Sequence, residues 1–183
     1  MACNLSAGRN EVCKDSIGGL SGVYFLNYTT GSFTKNANGE VTAFPTGSTV
    51  YYYELKGNSS YTETVNSSRD NGTTFFSQEL LLNLKKLTNE MTTQLKLMAY
   101  GRPQIVVNTM TGDSLLVGEA EGADVTAGTI QTGAAIGDLY GYSVTFTGQE
   151  RLPAAFISGS TQGNPFGALA GAGKPTVVYG SNS

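Results

Sequence analysis

Catalysis and metal binding draw on a short list of side chains, and the first of them is missing: the chain contains no histidine. That removes Ser-His-Asp and Cys-His activation of a nucleophile, and imidazole metal sites with them. Glu119 and Glu121, two apart on an expected strand end, can share one face as an acid/base pair. A solvated acidic edge is the commoner meaning of such a pair. The run Gly167-Ala168-Leu169-Ala170-Gly171-Ala172-Gly173-Lys174 follows a phosphate-binding loop only in outline. Ala168 stands where that pattern requires glycine, and Pro175 follows Lys174 where a magnesium-binding hydroxyl belongs. Cys3 and Cys13 are the only cysteines, too few for a four-thiolate metal site or a disulfide scaffold. Free thiols and a bridge closing one short loop are the two readings, and a reducing compartment favours the thiols. Lys85 and Lys86 fall on the solvent side of an expected helix and form no aromatic-basic platform for nucleic acid. The expected inventory is empty: no catalytic residue, no cofactor-binding residue, no metal ligand, no cofactor and no enzymatic activity.

Composition points to architecture instead. The 183 residues suffice for one domain with a substantial core, and two would be crowded. Twenty-four glycines, ten tyrosines and eight phenylalanines, with no tryptophan and abundant Thr, Val and Ser, favour short strands joined by tight turns. A net charge of −3 gives no electrostatic footprint for tight nucleic-acid or anionic-membrane binding, and no apolar run is long enough for membrane insertion. The start Met1-Ala2-Cys3-Asn4-Leu5 lacks the basic-then-apolar plan of a secretory signal, so folding in the cytoplasm is expected. The Asn-x-Ser/Thr triplets at Asn4, Asn27, Asn58, Asn66 and Asn71 then reflect turn-rich composition rather than glycosylation.

Residues 73–102 organise the rest. Phe76, Gln78, Leu80, Leu82 and Leu84 alternate with polar neighbours, as a half-buried strand requires. The period then changes. Leu84, Leu87, Met91, Leu95 and Met98 recur in steps of three and four, predicting one helix over about 84–100 that Gly101 and Pro103 end. Strands are expected over 23–28, 40–44, 48–55, 142–147 and 176–179, with a hairpin of 104–110 and 114–119 about Thr111-Gly112-Asp113. Residues 123–142 read as a long loop or weak hairpin. Asp70-Asn71-Gly72 is the strongest hairpin signal, and its first arm, rich in β-formers with little apolar mass, is expected to project or lie on another subunit. The division is an N-terminal arm (1–21), a β domain (22–157) with one flanking helix, and a Gly/Ala/Ser-rich extension (158–183) whose residues 158–173 are expected to be extended or mobile alone.

The order of several motifs is familiar: residues 13–20 followed by the 23–27 strand, Tyr53-Glu54-Leu55, Thr62-Glu63-Thr64, Asn71-Gly72-Thr73-Thr74-Phe75-Phe76, and the leucine-rich strand running into residues 84–97. The runs 116–123, 131–138 and 141–150 extend it. Residues 13–152 resemble the tail tube (major tail) proteins of tailed bacteriophages of Bacteroidota-type hosts; residues 158–183 have no counterpart in the resemblance. It implies a mainly β, sandwich or barrel fold with one flanking α-helix. It further implies hexameric rings whose sheets close an inner barrel, stacked into a conduit through which DNA passes without specific binding. The partners implied are further copies and other tail proteins, in a virion tail assembled after synthesis in the host bacterial cytoplasm. The hairpin arm of about 57–71, with the terminal segments, is expected to contact adjacent subunits. Alternatives are the tube of a contractile injection system, a decoration or tail-terminator protein, and a secreted carbohydrate-binding sandwich.

Overall fold

Strand β1 (Leu20–Leu26) is buried at six of its seven positions and β7 (Gln104–Thr109) at five of six. Continuous rather than alternating burial means that both faces of this sheet are covered. The two strands pair antiparallel, Val23 opposite Val107 and Phe25 opposite Ile105. In the computed structural model, which describes residues 7–9, 14 and 16–180, they lie at the centre of a six-stranded sheet. Its other members are β4 (Thr49–Glu54), β8 (Ser114–Val117), β11 (Ala155–Phe156) and β12 (Thr176–Tyr179), in the order β11-β8-β7-β1-β4-β12. β1 begins at Leu20, earlier than residue 23, because a bulge between Leu20 and Gly22 brings Leu20 into the same core as Val23 and Phe25. Cys3 and Cys13 lie outside the described residues.

One face of this sheet packs on a four-stranded antiparallel sheet of β5 (Ser60–Ser68), β6 (Thr73–Lys85), β10 (Gly141–Glu150) and β9 (Asp124–Gln131), ordered β5-β6-β10-β9. Val23, Phe25, Ile105, Val107 and Val117 meet Leu80, Leu82, Tyr142, Val144 and Phe146 in the first core. The chain is therefore mainly β, about 44% strand, in a sandwich-like arrangement with a single helix among the described residues. Residues 123–142 resolve into a hairpin rather than a loop, since β9 pairs with β10 from Asp124 to Gln131.

The helix starts later than its apolar period suggests. Pairing with β10 carries β6 as far as Lys85, so α1 spans Asn89–Tyr100 and not 84–100. Lys86 takes a positive φ of 71° and turns the chain. Thr88 then caps the helix, its hydroxyl accepting the Met91 N–H at 3.1 Å. The Tyr142 hydroxyl accepts the Thr88 N–H at 3.2 Å and donates to the Thr88 carbonyl at 2.9 Å, tying the cap to β10. Met91, Leu95 and Met98 on the helix, with Leu84 near the end of β6 and Leu87 in the turn between, all pack half-buried against the first core. With Tyr53 and Val125 packed there too, α1 closes the side of the sandwich between β9 and β4.

The other face of the central sheet is covered in part by residues 158–173, which are packed there and not extended or mobile as composition suggests. Tyr24, Leu26, Val50, Val106 and Leu116 meet Val41, Phe44, Ile157, Phe166 and Leu169 in a second core. Val41 belongs to a small two-stranded sheet of β2 (Thr34–Lys35) and β3 (Val41–Ala43). Buried Asn108 donates from Nδ2 to the carbonyls of Thr161 (3.3 Å) and Gln162 (2.8 Å), and Phe44 N–H donates to Gly173 O at 2.8 Å. Gly173 lies so close that an added Cβ would sit 2.5 Å from that of Ala43. β12 then pairs in parallel with β4, so residues 158–179 complete the domain and are no appendage.

Truncating the ring that anchors this layer tests its weight. Phe166→Ala should lower unfolding free energy by about 3–5 kcal/mol, the usual cost of emptying a buried aromatic site, measured by urea titration.

Candidate functional site

The loop that carries the carboxylates singled out from the sequence is held by a third carboxylate. Glu119 and Glu121 lie on a tight loop beyond β8, not on a strand end. Gly118 and Gly122, with φ of 66° and 81°, turn the chain there. Glu119 Oε2 sits 2.7 Å from Lys35 Nζ, and Glu121 is exposed. The missing member is Glu150 at the end of β10, which sequence spacing gave no reason to select. It is 5% exposed, and its Oε1 accepts the N–H groups of both Ala120 and Glu121 at 2.9 Å. Burial pushes its pKa up; the two N–H bonds oppose that, and the negative charges of Glu121 and Glu119 add to it. Among the described residues no group of three or more His, Cys, Asp or Glu is arranged to hold a metal ion. The arrangement fastens a loop.

The other sequence candidates are also structural. The glycine-rich run 167–174 seats Leu169 in the second core and makes a single 3₁₀ turn at Gly171–Gly173. Lys85 ends β6 and Lys86 occupies the turn after it, so neither lies on the helix.

What distinguishes the surface is the contrast between the sheets. The central sheet ends in strands of two and four residues, β11 and β12, whereas the second ends in β5 and β9, nine and eight residues long. Among the described residues neither of these long strands has a neighbour on its outer side. Monomeric proteins usually blunt such edges with lysine, proline, bulges or short strands. Ser60–Ser68 and Asp124–Gln131 hold no lysine and no proline, and one bulge interrupts β9 near Thr126. Val65 on β5 and Ile130 on β9 are 60% and 55% exposed. The sheet's outer face is rich in hydroxyls, with Thr126 and Thr147 Oγ1 atoms 2.9 Å apart.

The hairpin arm projects less than expected. Ser60 to Val65 pair with β6 alongside the body, Tyr61 packs on the first core, and Glu63 Oε1 accepts from Gln78 Nε2 and the Ala154 N–H. Only the part beyond the last β10 partner, Glu150 opposite Phe76, stands clear. That tip comprises the pairs Asn66–Phe75, Ser67–Thr74 and Ser68–Thr73 and the turn 69–72.

At the opposite end, between α1 and the β4–β12 edge, a groove of about 800 Å³ is lined by Tyr51, Tyr53, Glu54 and Tyr179 from the strands and Glu90 and Met91 from the helix. Tyr51 and Tyr53 also line a smaller neighbour of about 380 Å³ that reaches Tyr28 and Arg102. Arg102 stacks 4.1 Å over the Tyr28 ring.

The clamp has a pH signature. Because the folded pKa of Glu150 lies above its ordinary value, the folded state binds the proton more tightly, and stability falls as pH rises from the ordinary range through the raised one. Glu150→Gln keeps an oxygen for both N–H groups and removes the buried charge. Its melting temperature should exceed the parent's by about 2–4 °C at pH 7 and match it near pH 4, followed by thermal melts across that range. No family model, curated protein or solved structure matches the chain, so its own geometry carries the functional conclusion.

Proposed function

We propose that the chain is a structural subunit that works by joining copies of itself, in the manner of a phage tail tube protein. The observation that carries this is the four-stranded sheet with two long edges that hold no lysine and no proline. Its strands alternate in direction and are even in number, so β5 and β9 run opposite ways. A second copy rotated about an axis along the strands therefore offers β5 to β9 antiparallel, the pairing already used throughout the sheet. Such a contact is heterologous, and rotation closes it into a ring. Six copies, the number the tail-tube resemblance implies, would make one continuous barrel, and the hydroxyl-rich face would line its lumen. A net charge of −3 discourages DNA from adhering to such a wall. No helix among the described residues is long and apolar enough to cross a membrane.

Negative-stain electron microscopy of the purified chain should show rings or tubes of uniform bore. Gly128 lies on the β9 edge, and a Cβ there would meet only Ser143 O, at 4.0 Å. Gly128→Lys should thus leave the protomer folded, place a charge on the edge, and reduce assembled material at least tenfold by sedimentation. A monodisperse parent that binds glycans on an array would overturn the proposal. Tubes inside DNA-packed particles separate a phage tail from a contractile injection system.

A further inference from the structure

The projecting hairpin tip and the groove beside α1 lie at opposite ends of the strand axis. The tip begins where β10 ends, past Glu150 opposite Phe76. The groove lies beside the first turns of α1, whose cap is bonded to Tyr142 near the start of β10. A copy translated along the strands therefore brings its tip toward its neighbour's groove.

The two are also chemically matched. The groove is walled by Tyr51, Tyr53 and Tyr179 and carries the carboxylates of Glu54 and Glu90; no basic residue lines it. Aromatic faces flanked by carboxylates favour a cation, and a guanidinium most of all. The tip turn is Arg69-Asp70-Asn71-Gly72, with Arg69 exposed and Phe75 exposed on the β6 side of the tip. Glu54 is held 3.4 Å from the exposed Lys56, a pair weak enough for an incoming guanidinium to displace. A two-stranded ribbon with no further strand beside it is marginal in water, so the tip gains order by being received.

We infer that the β5–β6 tip of one copy docks in the α1/β4/β12 groove of the next, Arg69 entering among the tyrosines toward Glu54 and Glu90. This rests on the self-assembly proposed above and names the contact that joins successive rings, whereas β5 to β9 pairing joins copies within a ring. Phe75 brings apolar area to the groove mouth, and charge sets the register. The contact is heterologous and does not close on itself, which is what a stack requires.

Charge exchange tests it without deleting structure, since Arg69, Glu54 and Glu90 are all exposed. Arg69→Glu, and separately Glu54→Lys with Glu90→Lys, should each shorten tubes or lower their yield at least tenfold in electron micrographs while rings persist. The triple variant should recover at least a third of the parent yield. Circular dichroism checks that each variant folds. Tubes of parent length from Arg69→Glu would overturn the docking alone, as would a folded triple variant that fails to recover. Loss of stacking only when residues 1–15 are removed would do the same, by assigning the groove to the N-terminal segment. A parent that forms neither rings nor tubes would overturn both this inference and the proposal beneath it.

Discussion

A sheet that is apolar on both sides must be covered twice. Val23 and Phe25 face one way along β1, Tyr24 and Leu26 the other, and the same holds for Ile105 and Val107 against Val106 on β7. Leaving either set in water would forfeit roughly 1.5–3 kcal/mol for each large side chain. The second sheet and α1 satisfy the first set; the small β2–β3 sheet and residues 157–173 satisfy the second. Hydrogen bonding is arranged to match. Buried Gln104 holds its carboxamide between Thr29 and Glu119, and Gln78 between Glu63 and the Gly118 N–H, so both carboxamides that enter the layers are paired.

Covering the central sheet concentrates exposure elsewhere. Its own margins are closed by short strands, so the unsatisfied backbone of the domain collects along β5 and β9 of the outer sheet. An isolated soluble domain carries that arrangement as a hazard. For a subunit whose neighbours are copies of itself the same margins are joints, and the absence of lysine and proline from both strands fits that use.

Much of this was legible in the residues. The switch of apolar spacing at Leu84 marked a strand passing into a helix; Met91, Leu95 and Met98 lie on that helix, and all five residues of the stripe pack on the first core. Asn71-Gly72 marked the hairpin, with Gly72 at φ 63°. The start of α1 was not legible, because it depends on β10 pairing as far as Lys85 and on the Tyr142 hydroxyl reaching Thr88, contacts made by residues more than fifty positions away. Phe166 and Leu169 were hidden for another reason. They are isolated large apolar residues among glycine, alanine and serine, and local composition there looks like a tail. The small residues around them are what allow the backbone to approach, as Gly173 does against Ala43. Glu150 was unreadable as a clamp because a lone glutamate ending a strand ordinarily faces water, and only the Gly118–Gly122 loop brings donors to it.

The parallel pairing of β12 with β4 has a consequence for how the molecule comes into being. Thr176 lies beside Thr49, and Gly173 O receives the Phe44 N–H, so contacts of very long loop closure complete the second layer. Residues 166–179 follow the other elements of the domain in chain order, and until they are made Tyr24, Val50 and Val106 stay open to water on a nascent chain. Closure of the second layer thereby waits for its last strand, and a chain stopped short of it presents a greasy, chaperone-attracting flank where the complete domain presents a closed surface.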